Sequence, residues 1–274
     1  MRARSVVLLL TLLVALTFLP AAGSEATTPH RDIASRSLSL SGANDWGCVP
    51  SAAHPHPVVI VHGTFGDSLT LLQRLTWAIH RAGYCVFALD YGDRATGPIQ
   101  DSAAELAAFV DRVLAATGAA KVSLVGHSQG GMMPRYYIKF LGGAGKVDDL
   151  VGLAPSNHGT LNPLLLTPGL SLFCTSCLQQ ATGSAFLRRL NADDETPGPV
   201  SYTDIVTRWD EVVLPYTSGY LSGGATNIRL QSKCPLDLSG HLLIPSDGPA
   251  IRIVLNALGR QGPASPTFQP SCFP

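Results

Sequence analysis

The segment Gly126-His127-Ser128-Gln129-Gly130 places a hydroxyl between two glycines, directly after an apolar run and directly before a stretch of helix formers. A serine alcohol attacks poorly until a base takes its proton, and the base must itself be oriented by a third group. G-x-S-x-G alone arises by accident in about one chain in ten of this size at ordinary Gly and Ser frequencies. Its setting between a strand and a helix is more informative. The backbone must turn sharply there, the glycines leave room for the turn, and the free N–H groups opening the helix favour negative charge beside the hydroxyl. Ser128 is the candidate nucleophile; the bland alternative is an idle serine in a Gly-rich turn.

In strand–turn–helix sites of this kind the chain order is Ser, acid, His. Only His158 and His241 follow Ser128. His158, in APSNHGT, comes straight after a strand and before any plausible acid loop, whereas His241, in CPLDLSGHLLIPSD, sits on a late loop before the last helix. His241 is the candidate base. The stretch VSYTDIVTRWDEVVLPY offers Asp204, Asp210 and Glu211 as acids. Asp210 stands at the end of the apparent strand and is chosen; Asp204 reads as a strand-face or edge carboxylate, Glu211 as a solvated turn residue. Asp237 and Asp247 are near His241 in sequence and are set aside. His127 reads as a packed neighbour, and His54 and His56, flanked by prolines, as loop residues. No metal and no cofactor is expected. An oxyanion needs fixed donors. The Gln129 N–H is one, and the loop HGTFG should supply another, from Thr64 first or Phe65 second, with the Thr64 hydroxyl as a conceivable third donor.

These residues need a scaffold, and the pattern supplies one. PVVIVHG, YCVFALDYG, KVSLVG and VDDLVGLAP read as strands; residues 68–81, DSAAELAAFVDRVLAATG and QGGMMPRYYIKFLGG read as the helices between them. Leu106, Phe109, Val110, Val113 and Leu114 share one helical face, Gly118 caps that helix, and Pro134 should kink the next. Such alternation implies an α/β fold with a mostly parallel central sheet flanked by helices, with ligands at the carboxyl ends of the strands. Residues 156–199 break the alternation as a short lid-like insertion, whose Leu164, Leu165, Leu166, Leu170, Leu172 and Phe173 would line an acyl pocket or form ordinary core. PVSYTDIVTRWD, NIRLQ and a helix near 248–258 complete the fold, and 261–274 form a Pro-rich tail.

With 274 residues, 46% of them hydrophobic, the chain can bury one substantial core. Nineteen basic residues balance nineteen acidic ones without a basic block, so no nucleic-acid partner is expected. Arg2 and Arg4 precede an apolar run, Val6 to Leu19, and then small residues. Residues 1–23 read as a secretory signal, since the fourteen apolar residues fall short of the roughly 20 that a membrane anchor needs, and 24–274 as a single, secreted, monomeric domain. Export permits disulfides among six cysteines. Cys48 with Cys85 is geometrically cheap if their strands are neighbours, and would contribute about 3–4 kcal/mol on the chain-entropy model. Cys174 with Cys177 reads as a local bridge, which leaves Cys234 with Cys272 to tie down the tail.

Together VHGTFG, LVGHSQGG and TRWDEVVLPY followed by CPLDLSGH resemble the secreted bacterial triacylglycerol lipases and esterases of lipase class 2, within the α/β-hydrolase fold, over most of residues 46–260. The resemblance implies hydrolysis of a lipid or small ester without a cofactor, with Ser128 as nucleophile, Asp210 as acid, His241 as base, and Thr64 or Phe65 with Gln129 as oxyanion hole. An acyltransferase or peptidase using the same triad, or a secreted binding protein on a hydrolase scaffold, would share these residues.

Overall fold

Four apolar residues in a row, Val58–Val61, suit a strand covered on both faces, because successive strand side chains point to opposite sides. The computed structural model describes residues 42–273 except 69, 164–166, 168, 170 and 171, and there Val58–Val61 form β1. Val59 and Val61 enter one apolar cluster with Leu106, Val110 and Met132. Val58 and Ile60 enter the other with Leu75, Ile79 and Ile253.

The order continues with α1 (Gln73–Arg81), β2 (Val86–Leu89), α2 (Ile99–Thr117) and β3 (Val122–His127). Next come α3 (Gln129–Met132), α4 (Pro134–Phe140), β4 (Val147–Leu153), α5 (Thr175–Gln179) and α6 (Ala185–Asn191). β5 (Ser201–Val206), β6 (Thr226–Arg229), α7 (Leu230–Lys233) and α8 (Gly248–Leu258) finish the chain. The sheet runs β2-β1-β3-β4-β5-β6, and every pairing is parallel. After β1 the chain places β2 on one side and β3 on the other. The loops leaving β1 and β3 therefore diverge at a topological switch point, where such sheets carry their sites.

Gly118 closes α2 in the left-handed conformation at φ 69°. Pro134, expected to kink one helix, divides it, since proline has no N–H to donate and starts α4 instead. Two boundaries moved. The helix expected from 68 begins at Gln73, and NIRLQ, expected as a strand, is split between β6 and α7. The expected signal segment 1–23, and Leu164, Leu165, Leu166 and Leu170, lie outside the described residues. Disulfides join Cys48 to Cys85, Cys174 to Cys177 and Cys234 to Cys272. Among the described residues no helix is long and apolar enough to cross a membrane.

At the opposite end of the sheet from the switch point, Asp149 of β4 is buried and accepts a hydrogen bond from Ser123 Oγ at 3.1 Å. Burial pushes its carboxyl from 3.8 up to about 7, with Asp148 adding to the rise and Ser123, Lys121 and Arg260 opposing it. A folded-state value above the unfolded one means that the protonated form contributes stability in acid, and that this contribution is lost as pH rises through the folded value. The loss is on the order of 4 kcal/mol. Asp149→Asn keeps the acceptor and removes the ionisation, so its melting temperature should exceed the native one increasingly from pH 5 to pH 8. Parallel melting curves across that range would contradict this account.

Candidate active site

At the carboxyl end of β3 the chain turns at Ser128 with φ 57° and ψ −124°, a region that costs an L-residue about 1–3 kcal/mol. Two glycines make the turn possible. A β-carbon at 126 would lie 1.8 Å from Gly130 O, and one at 130 would lie 2.2 Å from Val61 O. The elbow is thus pressed against β1, and a β-carbon at Gly63 would come within 2.9 Å of Ser128 Cβ.

The late histidine arrives from the other side. His241 is buried, and its Nδ1–H donates to Asp210 Oδ2 at 3.0 Å. Asp210 Oδ1 accepts from the N–H groups of Val212 at 2.9 Å and Val213 at 2.7 Å. The carboxylate therefore has donors on both oxygens. His127 faces His241 with ring centroids 4.7 Å apart, and its Nε2–H donates to His241 O at 2.9 Å. Burial, with His241 adding to the effect, holds His127 well below the usual histidine range. It is a neutral neighbour, as its sequence position suggests. His158 lies elsewhere, 2.9 Å from Glu195.

Glu211 departs from the expectation of a solvated turn residue. Its Oε2 accepts from the His241 N–H at 2.7 Å and its Oε1 from the Leu242 N–H at 3.3 Å. Burial raises its pKa, but the backbone donors, His241 first, outweigh that and bring it below the ordinary glutamate value.

The loop after β1 is held with equal care. Gly63 O accepts from His62 Nδ1–H at 2.9 Å and from the Gly66 N–H at 3.0 Å. Burial lowers the pKa of His62 against the raising effect of that carbonyl, so the ring is neutral. The Phe65 N–H donates to Arg94 O at 2.7 Å, and Phe65 O accepts from Arg94 Nε at 3.1 Å and from Nη2. Both peptides flanking Thr64 are pinned. In a trans peptide N–H and C=O point in opposite directions, so the Thr64 N–H faces away from the partners of Gly63 O. It has no acceptor among the described residues. Phe65, the second choice as donor, has its N–H committed to Arg94.

Side chains join this loop to the elbow. Thr64 Oγ1–H donates to Gln129 Oε1 at 2.7 Å. Gln180 Nε2 donates to Thr64 Oγ1 and Gln129 Oε1, both at 2.9 Å, and Gln180 Oε1 accepts from Ser156 Oγ at 2.8 Å.

The chain is similar to known proteins. The family described as Lipase (class 2) matches residues 55–241, the stretch that contains Ser128, Asp210 and His241. The chain belongs to the class 2 lipase family. Over 97 residues it is 40% identical to a triacylglycerol lipase of Pseudarthrobacter phenanthrenivorans and 37% identical to one of Burkholderia plantarii. Each match covers 31% of this chain and 28% or 25% of the relative, so the aligned part spans about a quarter of those relatives' length. Aspergillus fumigatus lipase B superposes with a TM-score of 0.71 at 24% identity, covering 80% of this chain and 57% of that one. Bacillus licheniformis lipase BlEst2 in its mature form gives 0.56 at 20% identity, covering 74% of this chain and 94% of that one. At such identities the likeness is one of fold, and that fold is the α/β-hydrolase fold.

In this member of the class 2 lipase family Ser128 and His241 open on one cavity of about 420 Å³, whose apolar wall includes Phe65, Leu71, Val212, Val213 and Leu242. Phe173, expected in an acyl pocket, is 82% exposed and outside that lining, because Cys174 and Cys177 take the inward positions beside it. Asp204, expected on a strand face or sheet edge, is interior. It sits on β5 between β4 and β6, and burial pushes it up to about 8 against the opposing pull of Arg135. Sequence reasoning missed Gln180, Ser156 and Arg94, and misjudged Glu211; the only signal for Glu211 was its place beside Asp210.

Glu211→Gln turns one acceptor oxygen into a donor facing a backbone N–H, which should loosen the turn that presents His241. Hydrolysis of a short p-nitrophenyl ester should show kcat lowered about tenfold with KM little changed. A variant as fast as the native protein would remove Glu211 from the positioning of His241.

Proposed function

We propose that this protein is a secreted serine carboxylic-ester hydrolase of the lipase and esterase class, acting on acyl glycerols or other lipid esters through an acyl-enzyme intermediate. The observation that carries this reading is the convergence on one apolar cavity of a strained, glycine-flanked serine and a buried histidine bonded to a buried aspartate. Family membership and the triacylglycerol lipases among its relatives support the same substrate class.

In this mechanism Ser128 Oγ attacks the ester carbonyl while His241 Nε2 takes its proton. Asp210 keeps Nδ1 protonated, so Nε2 carries the lone pair, and stabilises the imidazolium that forms. Negative charge builds on the former carbonyl oxygen, where the free N–H groups of Thr64 and Gln129 would receive it. His241 then protonates the leaving alkoxide, and in the second half-reaction it activates water to release the acid. His127 adds no competing charge, because it remains neutral beside the imidazolium. The acyl chain has an apolar wall at Phe65, Leu71 and Val213. Three disulfides suit an oxidising compartment and favour export. A monomer acting at a lipid–water interface fits this reading.

Hydrolysis of p-nitrophenyl esters of increasing chain length tests it, with Ser128→Ala as control. The native protein should turn over these esters, and the variant should lose about a millionfold in kcat. Undiminished turnover by Ser128→Ala would overturn the assignment, as would a folded native protein inert toward every ester in the series and toward a serine-directed phosphonate.

A further inference from the structure

Helix α5 has only five residues, too few to be stable alone, yet it bonds three separate parts of the site. At its start the Cys174–Cys177 disulfide closes the first turn, and Cys177 lines the cavity. In its middle Ser176 Oγ–H donates to Ala95 O at 2.6 Å and the Ser176 N–H to Thr96 O at 3.1 Å. Ala95 ends a left-handed turn, Gly92–Ala95, in which Asp93, Arg94 and Ala95 have φ of 48°, 55° and 59°. Left-handed conformation costs roughly 1–2 kcal/mol per non-glycine residue, so the turn needs external support. It is also the turn that holds Phe65.

Just past the end of α5, Gln180 is buried and its amide nitrogen binds Thr64 Oγ1 and Gln129 Oε1 together. These two residues carry the two free N–H groups assigned above to the oxyanion. They lie 65 positions apart in the chain.

We propose that α5 is a disulfide-locked prop for the oxyanion hole, with Gln180 as the positioning residue that fixes the spacing between the Thr64 and Gln129 donors. The inference rests on the oxyanion reading given above. Ser156, which donates to Gln180 Oε1, sets the amide so that its nitrogen faces both partners. The Cys174–Cys177 bridge acts through the same side chain, because it holds the helix turn from which Gln180 projects.

The test uses the full mature chain with p-nitrophenyl butyrate as substrate and a simple boronic acid as inhibitor, since the tetrahedral boronate occupies the oxyanion hole. Gln180→Ala should lower kcat about 10- to 100-fold, leave KM within about threefold, and weaken boronic-acid inhibition by the factor lost in kcat. Cys174→Ala/Cys177→Ala should lower kcat as well, but add little in the Gln180→Ala background, because two changes acting through one contact are not additive. A Gln180→Ala kcat within twofold of native overturns the proposal. So does a raised KM with boronic-acid affinity unchanged, which would make Gln180 a substrate contact. Full additivity of the cysteine changes removes the lock from the account. Should the cysteine variant fail to fold, Gln180→Ala decides alone. Ser128→Ala separates the two levels: if it stays active the site assignment itself falls, whereas an inactive Ser128→Ala beside a native-like Gln180→Ala refutes only the prop.

Discussion

The site depends on a steric constraint between two adjacent strands. Ser128 can hold a positive φ at the end of β3 only because positions 126 and 130 carry no side chains, and because the carbonyls of Val61, which ends β1, and of His62 just after it form the surface the elbow presses on. A β-carbon at 130 would drive the elbow away from β1, and one at 126 would strike the turn's own backbone at Gly130. The same contact sets the β1 loop beside the serine, so the Ser128 hydroxyl and the proposed oxyanion donors are registered by one packing event. Strain at Ser128 is held by a sheet with apolar clusters on both faces, a support that a surface loop would lack.

Around that contact charge is distributed so that little of it opposes the chemistry. Both histidines packed nearest the reacting groups, His62 and His127, are kept neutral chiefly by burial. Asp210 has donors on both oxygens, one of them the histidine it bonds. Glu211 contributes a further negative charge close to His241, and it does so while gripping backbone N–H groups. An imidazolium formed at His241 would therefore meet two carboxylates and no cation among these neighbours.

Much of this was legible in the sequence, for identifiable reasons. The strand and helix order followed from apolar periodicity, the elbow serine from its glycines, and the pairing of His241 with Asp210 from the chain order Ser, acid, His. The three cysteine pairs followed from neighbouring elements and elimination. What stayed hidden acts through long-range polar contacts that leave no local pattern. Gln180 reaches 116 residues back to Thr64, and a glutamine in CLQQ carries no mark of that. Asp93, Arg94 and Ala95 all prefer negative φ, so a left-handed run there could not be expected from DYGDRATG. Glu211 looked solvated because it is exposed; its function lies in the direction its oxygens face, which burial does not report.

The hidden residues have a common character. The groups proposed to react are few and stand on strand ends, where the sheet fixes their backbones. The groups that set donor spacing come instead from the segment after β4 and the turn after β2, and they work by joining distant backbone segments through single amides or guanidinium groups. Reactive side chains are constrained by chemistry to a short list of types, whereas a positioning side chain needs only reach and the right donors, so many residue types would serve. Residue identity therefore points to a candidate nucleophile far more readily than to a glutamine proposed to space oxyanion donors, and only the spatial arrangement separates Gln180 from any other buried amide.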